Sequence, residues 1–193
     1  GQGADQGRSA GGQVSLVTKS GSNQFHGSLY EFHRNVKTAA NDWFSNRSGL
    51  AREALIRNQY GASLGGRIIK DRTFFYATTD YTRQDRTTFL STALPAFVLP
   101  ADGHLDYTGN YRQTLFSGKL DHRLTSGQTI ALRFNTDRFF DNNPQDAVGG
   151  TNAPSVARQY ARRSWTTQLN HTAQIGSRLL NEARFAYLNG DPV

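Results

Sequence analysis

The chain has 193 residues, a net charge of +7 and no cysteine or methionine, which removes a disulfide frame, thiol catalysis and a cysteine-based metal site. Hydrophobic residues reach only 36% while aromatics make up 11% and glycine numbers 19; an ordinary core draws on roughly 45–50% apolar residues, glycine included, and a disordered chain lacks recurrent Phe and Tyr. No run of about 18 apolar residues exists, so no helix can cross a membrane, whereas a barrel of strands stays open. The arginines and lysines are scattered and form no basic run. They read as polar surface more readily than as a phosphate-binding tract for nucleic acid or lipopolysaccharide.

In chain order, the glycine-rich start (Gly1, Gly3, Gly7, Gly11, Gly12) lacks the order of a phosphate-binding loop and reads as plain loop. Residues 13–19 alternate as a short strand and stop at the turn cluster Ser20-Gly21-Ser22-Asn23. A strand rich in aromatics is expected over 25–35, then a long polar loop over 36–56 with a helical turn near Asp42-Trp43-Phe44. Further strands are expected over 57–69, 73–86, 112–124, 129–140 and 157–175, and a seventh begins at Leu179. Their connections alternate strictly. Tight turns fall at Lys70-Asp71-Arg72, Thr125-Ser126-Gly127-Gln128 and Gly176-Ser177-Arg178, and long loops fall at 36–56, 87–111 and 141–156.

A soluble sandwich has no reason to alternate short and long connections. A membrane-crossing barrel does, with short turns on one side and long loops on the other. Strands of about 11–14 residues also exceed the globular norm of about 5–6. The period-2 pattern agrees. Ile130, Leu132 and Phe134 share one face while Arg133, Asn135 and Asp137 share the other. The same split separates Phe116, Gly118, Leu120 and Leu124 from Lys119, Asp121 and Arg123. It separates Leu179, Ala183, Phe185 and Tyr187 from Glu182 and Arg184, and Tyr60, Ala62, Leu64 and Ile68 from Gln59, Ser63 and Arg67.

Two blocks carry a family resemblance. One runs from Gly11-Gly12-Gln13-Val14 through Thr18-Lys19-Ser20-Gly21-Ser22-Asn23-Gln24-Phe25-His26-Gly27 to Phe32. The other holds Arg57-Asn58-Gln59-Tyr60-Gly61, Leu64-Gly65-Gly66 and Lys70-Asp71-Arg72-Thr73-Phe74-Phe75. Together they resemble the plug-to-barrel junction of TonB-dependent outer-membrane receptors, above all the Oar-like group common in acidobacteria, which carries a carboxypeptidase-regulatory-like domain. Arg67 stands where that group is expected to hold proline. The resemblance covers residues 11–85; beyond them only the strand rhythm agrees.

The resemblance implies an all-β fold: a partial antiparallel transmembrane barrel of about seven strands within a larger barrel of 22, preceded by the end of a plug domain. Residues 1–23 would close the plug and 24–193 would be the first, truncated part of the barrel. The last residues break off within the repeating pattern, so both ends are expected to be cuts. The implied activity is substrate binding and uptake across the outer membrane of a Gram-negative bacterium, not catalysis, energised through TonB by parts of the protein outside these residues. Expected partners are outer-membrane lipid, lipopolysaccharide and a transported ligand, with no nucleic acid and no cofactor. The first barrel strand would run outward, which places the three long loops outside the cell. Lumen-facing Arg123, Arg133 and Arg184 are the candidate ligand-binding residues and favour anionic ligands. The reading from another class is a soluble β-rich binding module for polysaccharide or nucleic acid; an isolated seven-strand sheet, by contrast, is expected to aggregate.

Other motifs weigh less. Gly61-Ala62-Ser63-Leu64-Gly65 has the G-x-S-x-G form of a nucleophile elbow, yet strand residues follow where that elbow needs a helix. Its glycines are expected to relieve crowding in a curved sheet. Glu31 and His33 share a strand face with His26 on the other, so no metal site is expected. Tyr76, Tyr81, Arg83 and Phe89 could stack on bases, but an aromatic girdle explains them as well.

Overall fold

The computed structural model describes residues 18–47, 49, 51–90, 94–143 and 148–192, with the Pro192 side chain left aside. The expected strand over 13–19 lies almost wholly outside that range, and Thr18 and Lys19 are not in a strand. Seven strands follow: β1 (His26–Asn35), β2 (Leu55–Ile69), β3 (Thr73–Phe89), β4 (Asp106–Thr125), β5 (Gln128–Asn142), β6 (Gln159–Ile175) and β7 (Leu179–Pro192). They form one antiparallel meander in chain order. The three connections at one end are tight turns, and those at the other are the long ones. Asp71 adopts a left-handed conformation (φ 58°) in the β2–β3 turn, which an Asp tolerates better than most residues.

Several strands are longer than the sequence pattern predicts, β4 reaching 20 residues and β3 17. The extra residues lie at the long-loop end. There Arg83, Asp85, Arg86 and Arg112 place charge on both faces, so the apolar-polar alternation that marks a strand fades although backbone pairing continues. In the first long loop, Asn35 accepts a hydrogen bond from Lys37 N to start a short 3-10 turn, and Asp42 accepts from Phe44 N and Ser45 N to cap the helix α1 (Trp43–Arg47). That is the helical turn expected near Asp42.

Register fixes which side chains share a face, since directly paired residues of an antiparallel ladder point the same way. One face carries Ser28, Gln59, Thr78, Asp80, Gln113, Ser117, Lys119, Arg133, Asn135, Asp137 and Gln168. The other carries Leu29, Leu64, Ala77, Phe116, Leu120, Ile130, Leu132, Phe134, Leu169 and Phe185. Among the described residues, no second sheet or helix layer covers either face. Among the described residues, the only buried hydrophobic side chains are Leu90, Val148 and Ala173, while Thr82, Arg86 and Thr88 are buried. Leu29 is 87% exposed and Phe185 63%. A water-soluble domain buries its apolar side chains; this sheet leaves them outside, as a surface solvated by lipid does. Among the described residues, Leu132 and Phe134 meet no second sheet or helix, which speaks against the sandwich reading.

On the apolar face the stretch Thr73–Tyr81 of β3 is nine residues long, within the roughly 9–11 that a tilted strand needs to cross a bilayer. Its outer limit is aromatic. Tyr60 pairs with Tyr81, and rings follow one another from Phe116 to Phe134 (6.4 Å), Trp165 (6.3 Å) and Tyr187 (5.2 Å). Tyr and Trp at that height form an interfacial girdle. The expected set is corrected in one member: Tyr81, Arg83 and Phe89 lie on this face, but Tyr76 lies on the polar one, stacked against His26 at 6.2 Å, because its parity is that of Thr78 and Asp80.

Candidate functional site on the polar face

The polar face is knit by hydrogen bonds across strands. Tyr30 donates to Asp80 (2.6 Å), which also accepts from Gln59 (2.8 Å) and Thr82 (3.3 Å). To reach Asp80 the Tyr30 ring lies directly over Gly61, where a Cβ would collide with it. Gly61 is therefore needed for a close side-chain approach, and the expected role of relieving backbone curvature is replaced by this one at that position. Ser63 donates or accepts across to Ser28 at 2.8 Å inside continuous strand pairing, so no nucleophile elbow forms. Farther along, Gln113 donates to Asp137 (3.0 Å), Arg162 pairs with Asp137 (2.6 Å) and Ser117 donates to Asn135 (2.7 Å).

The segment before β1 lies against this same face. Arg133 Nη2 donates to Thr18 Oγ1 and Lys119 Nζ to Ser20 Oγ, both at 2.5 Å. Gly21 sits so close to the backbone of Phe75 and Gly66 that a side chain would have no room. Asn23 accepts from the Asp71 amide at 2.9 Å. The chain thus enters across β5, β4 and β3 before it turns into β1.

The three predicted arginines all project from the polar face, but the fold does not bring them together. Arg123 sits by the short turns, with Nη1 donating to Asp71 O at 3.1 Å. Arg133 is committed to Thr18 and, at 3.5 Å, to Gln168. Arg184 pairs with Glu182 on its own strand at 2.6 Å. Among the described residues no cluster of three metal-ligating side chains forms; His33 instead meets Asn58 Oδ1 at 2.5 Å.

Sequence reading overlooked the mouth at the long-loop end. Arg86, 7% exposed, pairs with Asp141 at 2.6 Å and donates to Asn143 O at 2.7 Å. The loop after β5 folds back over these strand ends, with Thr88 donating to Val148 O (2.8 Å) and Gly150 N to Phe89 O (2.7 Å). Beside it, a cavity of about 310 Å³ opens under the first long loop, lined by Arg34, Asp42, Arg52, Glu53, Arg57 and Arg86 among others. Arg52 holds that loop by donating to Val36 O (2.6 Å) and Ala39 O (2.9 Å). Partial desolvation, then the nearby Asp42, raises the Glu53 carboxyl above its ordinary value. The parity of Arg57 and Arg86 with Gln59 and Thr82 was legible in the sequence; the loop that makes a pocket of them was not.

A meander whose polar face is bonded across strands and whose apolar face is bare below an aromatic rim is the wall of an outer-membrane β-barrel. The sheet is an arc of such a wall, and the chain is placed in the outer membrane of a Gram-negative bacterium. Residues 17–106 match the family model of the outer membrane beta barrel domain. The chain is also similar to the TonB-dependent transporter Oar of Myxococcus xanthus, 34% identical over 96 residues, which cover 44% of the chain and 9% of that relative. No solved structure matches the chain significantly.

Proposed function

We propose that this chain forms the first wall strands of a TonB-dependent transporter, with residues 1–23 ending the plug and 24–193 beginning the barrel. The observation that carries the reading is the path of Thr18–Phe25 along the polar face. A plug occupies the lumen, so a chain leaving it must cross the inner wall before entering the first strand. The lumen is then the hydrogen-bonded face, and the bare face meets acyl chains. Uptake would be energised through TonB by other parts of the protein, and the chain contributes a wall and a mouth, not a catalytic centre. On this reading the long loops are extracellular. Arg123, Arg133 and Arg184, with the mouth arginines Arg34, Arg57 and Arg86, favour anionic cargo.

Topology is tested by Ala101→Cys in the full-length protein, in the second long loop and beside Gly103, whose left-handed φ of 74° disfavours a substitution there. A membrane-impermeant thiol reagent is expected to label it on intact cells; labelling only after outer-membrane rupture would reverse the orientation. The cargo preference is tested by reversing Arg133 and Arg184 to Glu. Uptake of an anionic solute is expected to weaken while that of a neutral one holds, and equal losses for both would remove the preference.

A further inference from the structure

The apolar face ends on an arrangement that a water-facing sheet would avoid. Immediately beyond the girdle row of Phe116, Thr136 and Trp165, the next residues on the same face are Thr114, Arg138, Arg163 and Asp191, in cross-strand register. The step along the strand is about 7 Å. Arg138 and Arg163 are thus directly opposite one another on β5 and β6, both exposed. Neither guanidinium makes a hydrogen bond or ion pair with a described residue. Like charges directly opposite in a ladder repel.

Other carboxylates do not relieve the pair. Asp85 is shared between Arg112 (2.7 Å) and Arg83 (3.0 Å). Arg162 projects to the opposite face and takes Asp137. Asp191 is opposite Arg163 but forms no ion pair with it. On this face Arg112, Arg138 and Arg163 line, with the single carboxylate Asp191, a depression of about 450 Å³ that Thr114 and Phe140 also line.

We propose that Arg138 and Arg163 bind the phosphate groups of a phosphorylated lipid headgroup in the outer leaflet, on the lipid side of the wall. Three features favour this occupant. The pair lies in the cross-strand row of Tyr60 and Tyr81, at the outer edge of the aromatic girdle, the depth at which headgroups meet water. Guanidinium forks match phosphate oxygens bidentately, and an anion between two opposed forks turns their repulsion into attraction. The apolar strip directly below suits the acyl part of the same molecule. In the outer leaflet of this membrane the phosphorylated lipid is lipopolysaccharide. The inference rests on the orientation proposed above, which the Ala101→Cys labelling tests separately.

The full-length protein in detergent would be titrated with fluorescent lipopolysaccharide, with the same lipid after enzymatic removal of its phosphates, and with inorganic phosphate. Wild type is expected to bind intact lipopolysaccharide at least about tenfold more tightly than the dephosphorylated form. R138Q/R163Q is expected to lose that difference, and R138K/R163K, which keeps the charge but not the fork, to retain part of it. Equal binding of the two lipids by wild type overturns the proposal without any variant having to fold. So does an R138Q/R163Q protein that keeps the full difference. Displacement of the lipid by millimolar inorganic phosphate would mean that the site takes free phosphate, and would overturn the assignment to a lipid. External labelling at residue 101 together with any of these results leaves the transporter reading intact and removes only this site.

Discussion

The two faces of the sheet are built from the same strands, residue by residue in alternation, and differ in almost every other respect. The polar face satisfies itself: Asp80 accepts from three side chains and Asp137 from two. The apolar face leaves its large side chains bare, with Leu132 40% exposed and Leu29 87% exposed. A backbone that is fully paired can present such a surface to hydrocarbon without cost. The lesson is that solvent, not a core, assigns the faces here: water lies on the side where polar groups bond one another across strands, and lipid on the side where apolar side chains stand bare.

The comparison can be broken most sharply at the mouth. Asp141→Ala leaves the Arg86 guanidinium, 6% exposed, without its carboxylate. Stripping one partner from a buried pair costs about 3–5 kcal/mol, so the denaturant midpoint of the full-length protein in lipid vesicles should fall markedly. An unchanged midpoint would show that water reaches Arg86.

Next in size is a charge on the bare face. Leu132→Arg should cost about 2–4 kcal/mol if that face meets the bilayer centre, whereas Ala131→Arg, the adjacent residue on the polar face and opposite Asp121, should stay within about 0.5 kcal/mol. Equal losses for the two would mean that the faces do not differ in solvent. Smaller again is Gly61→Ala, which forces the Tyr30 ring off Asp80. Overpacking of this kind costs about 1–3 kcal/mol, and in a Tyr30→Ala background the same change should be nearly neutral. A double-mutant cycle with no coupling would show that the ring does not lie over Gly61.

The smallest effect concerns pH at the first long loop. Glu53 holds its proton more tightly in the folded loop than in the unfolded chain. The folded loop is therefore favoured below the ordinary carboxylate range and loses that support as pH rises from there through the raised value. Protection of residues 36–54 from proteolysis should decline across that window in wild type and stay flat in Glu53→Gln. A decline of equal size in the variant would assign it to another group.

Much of the architecture was legible before any coordinates. The three tight turns, the seven strands and the division of Ile130, Leu132 and Phe134 from Arg133, Asn135 and Asp137 all follow from period and turn chemistry, which are local properties. What could not be read was where strands stop at the long-loop end, since alternation vanishes there while pairing persists. The candidate site was only half visible for a similar reason. Parity placed Arg123, Arg133 and Arg184 on the polar face, but parity carries no information about height or partners, and the three sit apart with separate commitments.

By itself the sequence determined the class of surface, because a side chain's face follows from its parity and the turns set each strand's direction. Only the tertiary structure decided which residues meet. The Arg86–Asp141 pair spans two strands and a returning loop, the Tyr30–Asp80 bond crosses β2 at a glycine, and Arg138 faces Arg163 through register alone. Register joins residues distant in the chain, so no local pattern encodes it.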